Sequence, residues 1–193
     1  MVETTAIIVL AAGLSTRFSA GNKLLADFRG RPLADHIAGI IEPMPFAAKF
    51  AVCPADVPAL GKLFERRGFA ILANPDNAAG QATSLRLGVD AANRAGAGAV
   101  LICLADMPFV TRDHLQALLT RMGRGTANHV ASIAHQGAPM PPAIFGRDHF
   151  PALLQSAGDR GARDLLRSAE RLVVPARQLA DCDTPEDFAA FSA

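Results

Sequence analysis

The segment Leu10-Ala11-Ala12-Gly13-Leu14-Ser15-Thr16-Arg17-Phe18-Ser19-Ala20-Gly21-Asn22-Lys23 directly follows the apolar run Ala6-Ile7-Ile8-Val9. Small residues let backbone N–H groups close on phosphate oxygens, and Arg17 and Lys23 bring positive charge. That composition suits a loop that wraps a nucleoside triphosphate. Two familiar phosphate loops are excluded: no Gly-Lys pair precedes Ser or Thr, and this loop has no GxGxxG. Asp106 follows a second apolar run, Ala99–Leu104. A carboxylate at the carboxyl end of a parallel strand faces the ligand crevice. A hard oxygen there suits Mg²⁺, which bridges phosphates and keeps several waters. The plainer role for Asp106 is to cap the turn before Pro108.

These residues need rigid elements to hold them, and the chain alternates strand and helix signals. Strands are expected over residues 5–10, 48–53, 69–72 and 99–104, with helices over 32–41, 55–67, 83–95 and 112–122. Pro32 suits an early helical position, and Thr111 suits an N-cap. The second half is less regular. Strands are expected over 130–134, 143–145 and 172–174, with a Gly/Pro-rich turn over 136–142. Helices are expected over 148–155, 162–168 and 184–191, the last capped by Thr184 with Pro185 first. Buried apolar strands separated by helices imply a three-layer α/β/α fold, with a mostly parallel, Rossmann-like sheet. At 193 residues, without linker or repeat, the chain reads as one domain over 1–193.

With 19 basic and 18 acidic residues the net charge is +1. No basic stripe or aromatic platform supports nucleic-acid binding. No apolar run nears the ~18 residues of a membrane span, and the N-terminus lacks a basic leader region, so a cytoplasmic protein is expected. Cys53, Cys103 and Cys182 are odd in number and widely spaced, with no metal-binding pattern. Cys53 and Cys103 read as reduced core thiols. The five histidines form no ligand pattern.

The glycine-containing loop resembles the LAAGxSxRxGxxK signature of MobA-like nucleotidyltransferases, whose fold is of the nucleotidyltransferase α/β type. The resemblance continues in order through Asn22-Lys23-Leu24-Leu25, Gly30-Arg31-Pro32-Leu33 and Asn74-Pro75-Asp76. It goes on through Gly80-Gln81-Ala82-Thr83-Ser84, Asp106-Met107-Pro108, Gly158-Asp159-Arg160-Gly161 and Asp181-Cys182-Asp183-Thr184-Pro185. The set is similar to the molybdenum cofactor cytidylyltransferase branch. The resemblance implies that a terminal phosphate on a molybdopterin-type cofactor attacks the α-phosphorus of CTP and releases pyrophosphate. A guanylyltransferase using GTP, a transferase with another phosphorylated acceptor, and a non-catalytic accessory protein remain alternatives. A molybdenum hydroxylase would receive the product.

The resemblance also implies roles. Leu10, Ala11, Ala12 and Gly13 would place backbone groups against base and ribose. Arg17 and Lys23 would hold the β- and γ-phosphates and steady departing pyrophosphate. Asp106 would bind Mg²⁺, with Asp183 as the second carboxylate and Asp181 its substitute; either could instead cap the following helix. Asn74, Gly80 and Ser84 would meet the nucleotide, with Gln81 and Thr83 beside them. Asp159 and Arg163 would lie near the acceptor or form a surface ion pair, and His135 falls in the family's acceptor-contacting loop. The chain departs from the pattern at Ser19, Gly21, Gln81, Ala105 and the segment Gly137-Ala138-Pro139-Met140-Pro141-Pro142.

Overall fold

The computed structural model describes residues 4–13, 21–124, 128–156 and 161–192. Arg17, Ser19 and Asp159 lie outside them. β1 (Thr5–Leu10) is buried along its whole length. Ile7 and Val9 face one core, while Ala6, Ile8 and Leu10 face the other. A strand covered on both faces must be apolar throughout rather than alternating.

A two-residue hairpin follows, β2 (Asp27–Phe28) and β3 (Arg31–Pro32), then α1 (Leu33–Ile41), β4 (Ala48–Pro54), α2 (Pro58–Arg66) and β5 (Ala70–Asn74). α3 (Gln81–Arg94), β6 (Ala99–Leu104) and α4 (Arg112–Gly123) complete the first half. Then come β7 (His129–Ile133), β8 (Met140–Gly146), α5 (Phe150–Leu154), α6 (Gly161–Ser168), β9 (Glu170–Val173) and α7 (Pro185–Ser192). The main sheet has the order β5-β4-β1-β6-β8-β7-β9. β8 is antiparallel to both β6 and β7; the other pairings are parallel. Side chains of α1, α2 and α4 fill one core, and those of α3, α5 and α6 fill the other, so the sheet is the middle of three layers. Among the described residues no helix is long and apolar enough to cross a membrane.

Several boundaries differ from the sequence expectation. α2 starts at Pro58 rather than residue 55, because a residue without an N–H fits the first helical turn. Thr111 caps α4 as expected, its hydroxyl accepting from His114 N–H. β8 begins at Met140 and so takes in Pro141 and Pro142. The β7–β8 ladder jumps from Ala131↔Ala143 to Ser132↔Met140 at that point. A bulge tolerates residues that cannot donate to the ladder.

The chain's order across the sheet reverses at β1, with β4 on one side and β6 on the other. This switch leaves a crevice outside the carboxyl ends of β1 and β6. Two backbone bonds carry the ladder just past those ends: Ala11 N–H to Val52 O at 2.9 Å and Ala105 N–H to Leu10 O at 3.1 Å.

Candidate active site

A cavity of about 270 Å³ opens at this crevice. Leu10, Ala11, Ala12 and Gly13 form one wall, Gly80, Gln81 and Ser84 a second, and Lys23, Ala105 and Asp106 the end. The Leu10–Gly13 segment therefore sits where the sequence put it, with one refinement. The Ala11 N–H is already spent on Val52 O and cannot meet a ligand. Asn77, which sequence reasoning passed over, also lines the cavity and donates to Ala12 O at 3.4 Å. It lies just past the Asn74-Pro75-Asp76 block, in a turn where a short amide is common.

Lys23 is not an open surface cation. It is 7% exposed, and its Nζ donates to Asp106 Oδ2 at 2.7 Å and to Asp183 Oδ1. Its position is fixed by a 3₁₀ turn, Lys23–Leu25, capped by Asn22 Oδ1 accepting from Leu24 N–H, with Leu24 in the core. Burial alone would lower the lysine pKa. The charge of Asp106 and the hydrogen bonds to Asp106 and Asp183 outweigh it, so the ammonium is held above its ordinary value. Asp106 Oδ1 is buried and has no hydrogen-bond partner among the described residues.

Asp106 and Asp183 are 77 positions apart in sequence, and backbone geometry joins them. Cys182 N–H donates to Asp106 O at 3.0 Å, and the Cys182 side chain is fully buried. Asp187 Oδ2 accepts from Asp183 N–H at 3.0 Å and Thr184 N–H at 2.8 Å, while Thr184 Oγ1 accepts from Asp187 N–H. This is a capping box at the start of α7, and it turns Asp183 toward Lys23. α7 in turn is pinned by Phe188 on Phe28 and Phe191 on Phe109. Asp181 is solvent-exposed and makes no hydrogen bond to Lys23. Desolvation, then the charges of Asp183 and Asp106, hold its carboxyl above the usual range. Burial pushes the Cys53 and Cys182 thiols up to about 12 and raises that of Cys103, so all three stay protonated and inert.

Asn74, expected to meet the nucleotide, is not among the residues that line the cavity. It is 1% exposed. Its amide donates to Thr83 Oγ1 and Ser84 Oγ, both at 2.9 Å, and its carbonyl accepts from Asp76 N–H. A saturated carboxamide of this kind organises the turn that delivers Gly80, Gln81 and Ser84 to the cavity. Gly80 sits at φ 103°, a conformation that favours glycine. Thr83 Oγ1 donates to Gly80 O at 2.8 Å and closes the same turn. α3 starts at Gln81, two residues before the expected Thr83.

A second cavity, of about 210 Å³, adjoins the first and shares Leu10, Gln81 and Leu104 with it. Its walls are mostly apolar, including Leu85, Met140 and Phe145, and Arg163 is its one charged lining residue among those described. His135 lies exposed in the β7–β8 turn and lines neither cavity.

Comparison with known proteins places this arrangement. The MobA-like NTP transferase domain matches residues 7–173. The purine catabolism protein PucB of Bacillus subtilis (strain 168) is 31% identical over 199 residues, covering 94% of this chain and 92% of its own. The crystal structure of Rv0371c from Mycobacterium tuberculosis H37Rv superposes with a TM-score of 0.83 at 22% identity, covering 98% and 97% of the two chains. Molybdopterin-guanine dinucleotide biosynthesis protein A from Archaeoglobus fulgidus superposes with a TM-score of 0.69 at 17% identity, covering 97% and 96%. The last two show a shared fold. With the extended match over residues 7–173 and the PucB relationship, the chain belongs to the MobA-like NTP transferase family, and is a nucleotidyltransferase by that membership.

Proposed function

We propose that this nucleotidyltransferase moves CMP from CTP to the terminal phosphate of a molybdopterin-type cofactor, with Mg²⁺. The observation that carries the reading is the buried Lys23 ammonium, bridging Asp106 and Asp183 at the end of the Leu10–Gly13 cavity.

The residues present fit a hard divalent cation. Asp106 Oδ1 is a buried oxygen without a partner among the described residues, and Asp183 adds a second carboxylate within reach of the same ammonium. No group of three or more His, Cys, Asp or Glu among the described residues is arranged to hold a metal. That suits Mg²⁺, which usually takes one or two carboxylates and fills its shell with phosphate and water oxygens. When bound, the ion would neutralise charge developing on the phosphates. A crystal structure of Rv0371c was obtained as a complex with manganese.

The chain's own residues then have defined tasks. The Ala12–Gly13 segment and Asn77 orient the nucleoside, Ser84 and Gln81 line its far side, and Lys23 and Arg17 stabilise pyrophosphate as it departs. This is catalysis by placement and charge, with no acid–base pair required. The neighbouring apolar cavity suits a flat ring system, and Arg163 offers a cation to an anionic arm.

The test is pyrophosphate release with CTP, GTP or ATP, Mg²⁺ and molybdopterin. Release with CTP alone supports the assignment, and release only with GTP replaces it with the guanylyl reaction. Tight pterin binding without turnover would make the protein a carrier rather than a transferase.

A further inference from the structure

The lysine of this site is already engaged before any phosphate arrives. At the end of the cavity its ammonium sits between Asp106 Oδ2 and Asp183 Oδ1. Two carboxylates that both reach one nitrogen bracket a gap of single-ion size. Asp106 Oδ1, on the same carboxylate, is buried without a partner among the described residues. A divalent cation drawn to these oxygens would meet the ammonium already there, and two positive ions cannot share so small a gap.

We propose that Lys23 is a placeholder. Without nucleotide its ammonium neutralises Asp106 and Asp183 and keeps a lone divalent cation out. A triphosphate then draws the ammonium onto its own oxygens, and the vacated gap admits the cation. The inference rests on the triphosphate reading of the site and adds to it a rule of entry: metal and nucleotide bind as one unit. The lysine stem makes this possible, because its four-carbon chain can swing while the backbone of the Lys23–Leu25 turn stays anchored by Leu24 in the core. The same exchange accounts for the ion pair as a resting state: it removes the repulsion between two carboxylates until the phosphates arrive. Coupling of this kind is reciprocal, so the metal must also tighten the nucleotide.

The test is titration of the whole protein with Mn²⁺ alone, reading free Mn²⁺ by electron paramagnetic resonance. Wild type should bind Mn²⁺ weakly without nucleotide. Lys23→Met should bind it at least ten-fold tighter, and Lys23→Arg, which keeps a cation in the gap, should behave as wild type. Lys23→Gln keeps a donor between the carboxylates without the charge; it should show the same gain and serves if the methionine variant does not fold. Adding Asp106→Asn to the gaining variant should abolish the gain, and persistence would place the ion elsewhere and overturn the proposal. No gain in either neutral variant, or tight Mn²⁺ binding by wild type alone, overturns it as well. A separate arm titrates wild type with Mn²⁺ and a non-hydrolysable CTP analogue. Binding there with no gain in the neutral variants refutes only the placeholder, whereas no binding of any triphosphate analogue removes the nucleotide reading beneath it.

Discussion

Replacing Asp106 or Asp183 with asparagine should damage stability unequally, although both face the same ammonium. The Lys23 side chain is 8% exposed, that of Asp106 19% and that of Asp183 40%. Removing one partner of a buried pair strands a charge and costs about 3–5 kcal/mol. In Asp106→Asn the ammonium keeps Asp183, and part of the lost carboxylate had been solvated, so the low end applies, about 3 kcal/mol. Water already screens the Asp183 carboxylate, and exposed pairs contribute roughly 0–1 kcal/mol, so Asp183→Asn should cost at most about 1 kcal/mol. Urea unfolding near pH 7.5 at moderate salt measures both, since a shift in midpoint at constant slope reports stability. Lys23→Met in the Asp106→Asn background should recover part of the loss, because the stranded charge is gone. Equal losses in the two single variants, or no loss in Asp106→Asn, would refute the view of Lys23 as a buried ion whose main counter-charge is Asp106.

Three further outcomes can be checked. A Cβ added at Gly88 would stand 2.5 Å from Ile8 Cγ2. Gly88→Ala should therefore push α3 off β1, destabilise by about 1–3 kcal/mol in thermal unfolding and weaken nucleotide binding through displaced Ser84. Asn74→Ala should cost about 2 kcal/mol by leaving buried polar groups unsatisfied, and should raise KM for the nucleotide more than it lowers kcat. His114 is buried, with Nε2 2.7 Å from Ser132 Oγ and no partner for Nδ1 among the described residues; burial lowers its pKa to about 4. The unfolded chain takes up that proton near 6.5 and the folded one only near 4, so stability is lost as pH falls through this window and is unaffected above it. At ~1.4 kcal/mol per pH unit the full loss is about 3 kcal/mol, and it should be absent from the pH profile of His114→Gln.

What the sequence shows most clearly is what is buried on both sides. β1 and β6 stand out as unbroken apolar runs because helices cover both faces of the sheet there. The β2–β3 hairpin is not legible in the sequence, for the opposite reason. Each strand is two residues long, and its turn, Arg29-Gly30, uses φ angles of 55° and 84° that arginine adopts rarely. Individual candidate residues could be located from position after a strand, but their partners could not. Asn74 ends β5, two residues past the expected strand end, and whether its amide turns outward to a ligand or inward to Thr83 and Ser84 is decided by packing of α3 against the sheet. Likewise Lys23 and Asp183 are 160 positions apart, and only the Cys182–Asp106 backbone bond and the α7 cap bring them together.

Charge makes that convergence more than a packing detail. Lys23 offers one positive charge against the two negative charges of Asp106 and Asp183, with Asp181 close by. Among the described residues this leaves more negative than positive charge at the cavity's end, which would not favour a triphosphate entering without a cation. On the proposed reading the two positive charges of a divalent ion arriving with the nucleotide would reverse that balance as the ammonium moves onto the phosphates. The acidic pair would then disfavour a bare nucleotide and favour one that arrives with metal. Raising salt should weaken this selection only in part, because Lys23 and Asp106 are screened less than Asp183, which water reaches. A selection that vanished between low salt and about 0.3 M salt would instead mean that exposed charges govern entry.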